Sequence, residues 1–285
     1  MKVKRLIYII IGIMGWLPAF AQMPGVTYQR DDSLTVCRLL KQADQQSGTL
    51  YFARQFQGIP YVAHTLEVND DELLVVNTRQ LDCTTLVETV TALTLCARQG
   101  KKSFADYKAK LQQLRYRGGY RNGYTSRLHY FTDWILDKEA MGIVSEVQNP
   151  NPPFSAVQKI AVSYMSEHPQ AYKSLKSHPG QVPVIRQQEQ ALTGKTFRYI
   201  PKSAIKNTKL LRQTIKDGDI IAITCNKKGL DIAHLGFAVW RKDGLHLLNA
   251  SQLHKKVVTE PMTLRQYLQK HSSHTGIRII RINEK

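Results

Sequence analysis

The chain has 285 residues, 42% of them hydrophobic, and a formal net charge of +18. Length and composition are ordinary for a globular protein of one large domain or two small ones, while the charge should attract anions such as membranes, nucleic acid or acidic cell-wall polymers. Cys37, Cys83, Cys96 and Cys225 have neither the density of a disulfide scaffold nor the spacing of a zinc site, and no nucleic-acid-binding signature accompanies the charge, so no metal, cofactor or nucleic-acid partner is expected.

Residues 1–5 are basic, residues 6–20 are almost wholly apolar, and Ala19-Phe20-Ala21 fits a small-x-small cleavage site. This pattern predicts a secretory signal peptide over 1–21, cut after Ala21. The apolar run is shorter than the roughly 20 residues of a spanning helix, so the mature chain, 22–285, is read as one exported domain with helical insertions and no stable membrane anchor.

Apolar spacing predicts a helix over 32–45, ended by Ser47-Gly48, then a segment of mixed character over 49–57. Gly58-Ile59-Pro60-Tyr61 makes a turn, and 73–77 reads as a short strand. Leu86, Val87, Val90, Leu93 and Ala97 fall at helical spacing after Gln80-Leu81-Asp82-Cys83-Thr84-Thr85, so a helix begins at or just after Cys83. Its cap is either Asp82 or a capping box from Thr85 to Glu88. Both place the sulfur at a helix N-terminus, where the unpaired N–H groups favour thiolate.

Ser103 caps a helix predicted over 104–114, and a loop dense in Tyr, Arg, His and Asn opens into another over 127–140. Three prolines within 148–154 suggest a boundary between lobes, and short helices broken by Pro169, Pro179 and Pro183 follow. From Asp217-Gly218-Asp219 onward, 220–224, 232–240, 245–250 and 277–282 are strand-like. Helices first and an antiparallel sheet afterwards define an α+β fold.

A thiol nucleophile needs a base, and the base needs a group to orient it. His234 begins a strand whose next same-face positions, Gly236 and Ala238, are small and leave open space beside the ring. If Trp240 pairs with Leu245, paired positions sum to 485, and a tighter turn pairing Lys242 with Leu245 gives 487; in either register Asn249 and Ser251 share the face of His234. Asn249 is then the candidate orienter and Ser251 the reserve. Both His246 and His254 fit less well.

Gly58-Ile59-Pro60-Tyr61, Leu81-Asp82-Cys83-Thr84-Thr85, Asp217-Gly218-Asp219-Ile220, His234-Leu235-Gly236 and Leu248-Asn249-Ala250-Ser251 together resemble the NlpC/P60 cell-wall cysteine hydrolases. Residues 124–134 and Tyr199-Ile200-Pro201-Lys202 are similar to motifs of their N-acetylmuramoyl-L-alanine amidase-like branch. The resemblance implies a papain-like fold, a helical N-terminal half with its nucleophile at a helix N-terminus packed on an antiparallel sheet, with Cys83 as nucleophile, His234 as base and Asn249 as orienter. It further implies a periplasmic cysteine amidase cutting the bond between N-acetylmuramic acid and L-alanine in peptidoglycan or muropeptides. Alternatives are a stem-peptide endopeptidase cutting after D-glutamate and a non-catalytic basic envelope-binding protein. For substrate, Tyr61, Tyr124 and Tyr130 offer aromatic surface, Arg127 and His129 cationic groups for a peptide carboxylate, and Asp82 an acceptor if it does not merely cap the helix.

Overall fold

The computed structural model describes residues 25–284, so the expected signal peptide lies outside the described residues. The first half runs β1 (Val26–Thr27), α1 (Arg30–Gln42), α2 (Thr49–Gln55), β2 (Leu74–Val75), α3 (Cys83–Arg98), α4 (Phe104–Arg115) and α5 (Phe131–Ala140). It continues through β3 (Val144–Val147), β4 (Ala156–Lys159), α6 (Tyr164–Glu167), α7 (Lys173–Ser177), α8 (Val182–Leu192), β5 (Thr196–Pro201) and α9 (Lys209–Thr214). The last part is β6 (Ile220–Cys225), β7 (Ile232–Trp240), β8 (Leu245–Ser251), β9 (Lys256–Thr259), α10 (Leu264–Gln269) and β10 (His274–Ile282).

One eight-stranded sheet has the order β4-β5-β10-β6-β7-β8-β9, with β3 also on β10, and its pairings are antiparallel. The α+β reading therefore holds. Trp240 does pair with Leu245, the register that sums to 485. Residues 148–154 do not divide the chain into lobes, because the strands on either side of them join the same sheet and Phe154 is fully buried.

Residues Thr85 to Ala97 of α3 are buried without exception, so this helix has no solvent face. Leu86, Val87, Val90 and Leu93 meet α1, α2, α4 and one face of the sheet in the largest core. Each such side chain contributes about 1.5–3 kcal/mol on full burial. A second core fills the other face, where Ile221, Ile223, Ala238 and Leu247 meet Leu264 and Leu268 of α10. A third, smaller one joins Tyr124 and Tyr130 to α6–α8.

Several elements differ from the sequence expectation. The mixed segment at 49–57 contains α2, with Phe52 and Ala53 driven into the main core. Helix α5 starts at Phe131 rather than Arg127, because Arg127 is extended and bridges Tyr116. Strands β4, β5 and β9 and helix α10 had no clear periodicity to announce them.

A buried ion pair ties α3 to α4. Arg115 Nε donates to Glu88 at 2.7 Å, its Nη1 donates to the Val75 carbonyl at 2.6 Å, and both residues are almost inaccessible. Removing one partner leaves an uncompensated charge in the core, so Glu88→Ala should lower stability by about 3–5 kcal/mol, read from urea unfolding. A loss under about 1 kcal/mol would show that Arg115 finds water or another acceptor.

Candidate active site

Cys83 occupies the first turn of α3, and Asp82 is its cap. Asp82 Oδ1 accepts from the Thr85 N–H at 2.8 Å and from its hydroxyl at 2.9 Å, while the Thr85 hydroxyl accepts from the Asp82 N–H at 2.9 Å. The Thr85–Glu88 box is not used, because Glu88 turns to Arg115. Asp32, at the start of α1 and fully buried, accepts from the Thr78 N–H and hydroxyl at 2.8 and 2.9 Å and so fixes the approach to this turn. Leu81, just before the cap, is held by the Gly58–Tyr61 turn: its N–H donates to Pro60 at 3.1 Å and its carbonyl accepts from Val62 at 3.1 Å. That turn is itself sewn to the sheet edge, with Gly58 donating to Val257 at 2.8 Å and Tyr61 to Lys255 at 2.9 Å.

The sulfur is half-buried and receives the backbone N–H of Leu235, the residue after His234. Burial, with the charge of Asp82 next, pushes the Cys83 thiol up to about 12. This reverses the expectation of a resting thiolate, since loss of solvent and a neighbouring carboxylate outweigh the helix end. The side chain is a thiol at neutral pH and needs a base to become nucleophilic.

His234 is the candidate for that base. Its Nε2–H donates to Asn249 Oδ1 at 2.8 Å, which fixes the tautomer and leaves Nδ1 as the proton acceptor. Asn249 is fully buried, and its Nδ2 donates to Glu260 Oε1 at 3.0 Å, so turning its amide round would set its oxygen against the carboxylate. In the observed register Asn249 lies diagonally from His234, as parity requires. The space beside the ring is not open, however. A Cβ on Gly236 would lie 2.6 Å from the Leu248 carbonyl and 2.7 Å from Leu247, so this glycine answers a close approach of β8.

Of the other candidates, Tyr61 is placed near the sulfur: burial, then Cys83 and Asp82, raise its phenol above the ordinary value. Ser251 is buried and accepts from the His254 N–H at 3.3 Å, and so is not an orienter of His234. Tyr130 is also buried, donating to Glu189 at 2.7 Å and accepting from Met165, which makes it part of the third core. Tyr124 is 3% exposed and packed on His129 at 4.4 Å between centroids, with the Arg127 guanidinium 4.9 Å from its ring. His129 Nε2–H donates to the Tyr124 carbonyl at 3.0 Å, and burial, then Arg127, pushes the ring down to about 3, so it offers no cation.

Arg127 is not a free cation either. It forms a fork on Glu72, through Nε at 3.0 Å and Nη2 at 2.5 Å, and Nη1 donates to Glu67 at 2.5 Å. Sequence spacing could not reveal these partners, which lie in a loop 55 and 60 residues upstream. Glu260 was also missed, because β9 was not recognised. With that strand in register, Asn249 opposite Val258, parity places Glu260 on the face of Asn249. Among the described residues no group of three His, Cys, Asp or Glu side chains is arranged to hold a metal.

A half-buried thiol that meets the backbone N–H of Leu235, next in the chain to a tautomer-fixed imidazole, is suited to attack an acyl carbon. The comparisons agree with an acyl-transfer protein. The family model described as AmiA-like, N-acetylmuramoyl-L-alanine amidase-like, matches residues 51–277, and the chain belongs to that family. It is similar to the crystal structure of an N-acetylmuramoyl-L-alanine amidase from Bacteroides uniformis ATCC 8492, with 42% identity and TM-score 0.77 over 83% of this chain and 99% of that one. A putative xylanase from Bacteroides fragilis is 43% identical, with TM-score 0.75 over 81% of this chain and 99% of that one. A Legionella pneumophila protein at 21% identity, TM-score 0.68, over 88% of this chain and 94% of that one, shares the fold. Comparison with curated proteins returned no match.

Two measurements test this geometry. Burial holds His234 below its ordinary 6.5. With the neutral ring as base, activity should rise with pH through a midpoint below 6.5 and stay level through neutral pH; a midpoint at or above 6.5 contradicts that role for His234. Arg127→Ala should act on the fold, lowering stability by about 3 kcal/mol or more by stranding Glu67 and Glu72. A raised KM in a protein of unchanged stability would restore Arg127 to substrate binding.

Proposed function

We propose that the chain is an exported cysteine amidase of papain-like, NlpC/P60 type that hydrolyses the N-acetylmuramoyl-L-alanine amide bond of peptidoglycan or its released fragments. The observation that carries this reading is the 2.8 Å contact from His234 Nε2 to Asn249 Oδ1, which leaves Nδ1 for a thiol on the adjoining helix start. Family membership and the amidase named among the similar structures supply the bond. Export rests on the leader pattern of residues 1–21, and the periplasm is the compartment where such a substrate is met.

His234 Nδ1 takes the thiol proton as the sulfur attacks the lactyl carbonyl carbon. The first turn of α3 carries N–H groups without intrahelical partners, and that of Cys83 is the donor offered to the oxyanion. The imidazolium then gives its proton to the alanine nitrogen, the C–N bond breaks, and a peptide with a free amino terminus leaves. Water attacks the thioester with His234 again as base, releasing the lactyl carboxylate and restoring the thiol. Tyr61 stands beside the sulfur as an aromatic wall, and the net charge of +15 left after loss of Lys2, Lys4 and Arg5 draws an acidic polymer toward it.

Digestion of a defined muramoyl-peptide, with products read by mass spectrometry, tests the proposal. The expected products are the free stem peptide and intact N-acetylmuramic acid. Cleavage after D-glutamate would make the protein an endopeptidase, and binding without turnover would make it an envelope-binding protein. Cys83→Ala should fold and lose activity by roughly a thousandfold or more, and an active variant would end the cysteine mechanism.

A further inference from the structure

Glu260 is fully buried and, among the described residues, has neither lysine nor arginine bonded to it. One carboxylate oxygen accepts from Asn249 Nδ2 at 3.0 Å, and the other meets His254 Nε2 at 3.0 Å. Its backbone is pinned as well: the N–H donates to the Leu247 carbonyl at 2.8 Å, and the carbonyl accepts from His246 Nδ1 at 2.9 Å. Burying a carboxylate against an amide and a partly exposed histidine is expensive, and an apolar side chain would fill the same volume at less cost. The contacts suggest what the carboxylate is for. An asparagine amide has a donor end and an acceptor end, and Glu260, which only accepts when ionised, selects the donor end. The acceptor end is thereby turned to His234. Were Asn249 reversed, its NH2 would face Nε2, the ring proton would move to Nδ1, and the base would be lost.

We propose that Glu260 is a positioning residue for His234: through Asn249 it sets the imidazole tautomer, and its charge supports the imidazolium formed during the reaction. This rests on the reading of His234 as base. His254 holds the outer oxygen of Glu260 and is one-third exposed, so it closes the network at the surface. Among the described residues, the ionisable groups that act on His234 are Asp82 at the start of α3, Glu260 after β9 and His274 on β10, with His254 and, on α10, Tyr267 beside Glu260 and Cys83 on the backbone of Leu235. Among them Glu260 and Asp82 act to raise the His234 pKa against burial.

Two variants separate orientation from packing. Glu260→Gln keeps an acceptor for Asn249 but removes the charge, so the acid limb of kcat/KM should move to lower pH. Glu260→Leu removes the acceptor, so kcat should fall about tenfold with KM little changed, and should fall hardly further when added to Asn249→Ala. In a Cys83→Ala background, 15N spectra should show the Nε2–H tautomer of His234 with Glu260 present and a mixture of tautomers in Glu260→Leu. The proposal is overturned if Glu260→Gln leaves the acid limb in place, or if Glu260→Leu, where it folds, leaves the tautomer unchanged or loses as much activity with Asn249→Ala as without it. The spectra need no turnover, so they decide about Glu260 even if the cysteine mechanism itself fails.

Discussion

Helix α3 has no solvent face, and much of the molecule is arranged to give it none. A helix in which the apolar side chains, threonines and glutamate of residues 85–97 are all buried must be wrapped before it is stable. Here α1, α2 and α4 cover the sides away from the sheet, while the sheet supplies the remaining wall. That burial fixes where the helix begins. Its first turn cannot slide or tilt without opening the main core, so Cys83 is held on a rigid element against the start of β7.

Rigid placement has an electrostatic consequence. Wrapping the helix strips solvent from Cys83 and from His234, which raises the thiol and lowers the imidazole, and both rest uncharged. Asp82 reinforces the neutral thiol while serving as the cap. The cap stabilises the helix, and the same carboxylate disfavours a thiolate beside it. In the proposed mechanism charge separation waits for a substrate to arrive, and the polar chain through Asn249 to Glu260 stands ready to receive the resulting imidazolium.

Buried ionic groups recur around this scaffold in a consistent pattern. Asp32 holds Thr78, Glu88 takes Arg115, and Glu67 and Glu72 enclose Arg127. Each fastens a loop or helix of the first half to something distant in sequence, as loops with few apolar side chains require. The arginine of the aromatic-rich loop belongs to this set. Its guanidinium locks the loop.

What the sequence determined by itself was local or periodic. Spacing of Leu86, Val90 and Leu93 placed α3, the cap candidates placed Cys83 at its start, and strand parity placed Asn249 on the face of His234 before any coordinates. Such inferences work because helical and strand periods fix which side chains share a face. Tertiary structure decided whatever depends on distant partners or on solvent removal. The ion pairs of Arg127 join residues far apart in the chain, α2 is helical because its apolar residues are swallowed by the core, and the thiol of Cys83 is neutral because of what surrounds it. Glu260 fell between the two cases. Parity would have found it, but only through a strand whose short alternation carries too little hydrophobic signal to be read until β8 lies beside it.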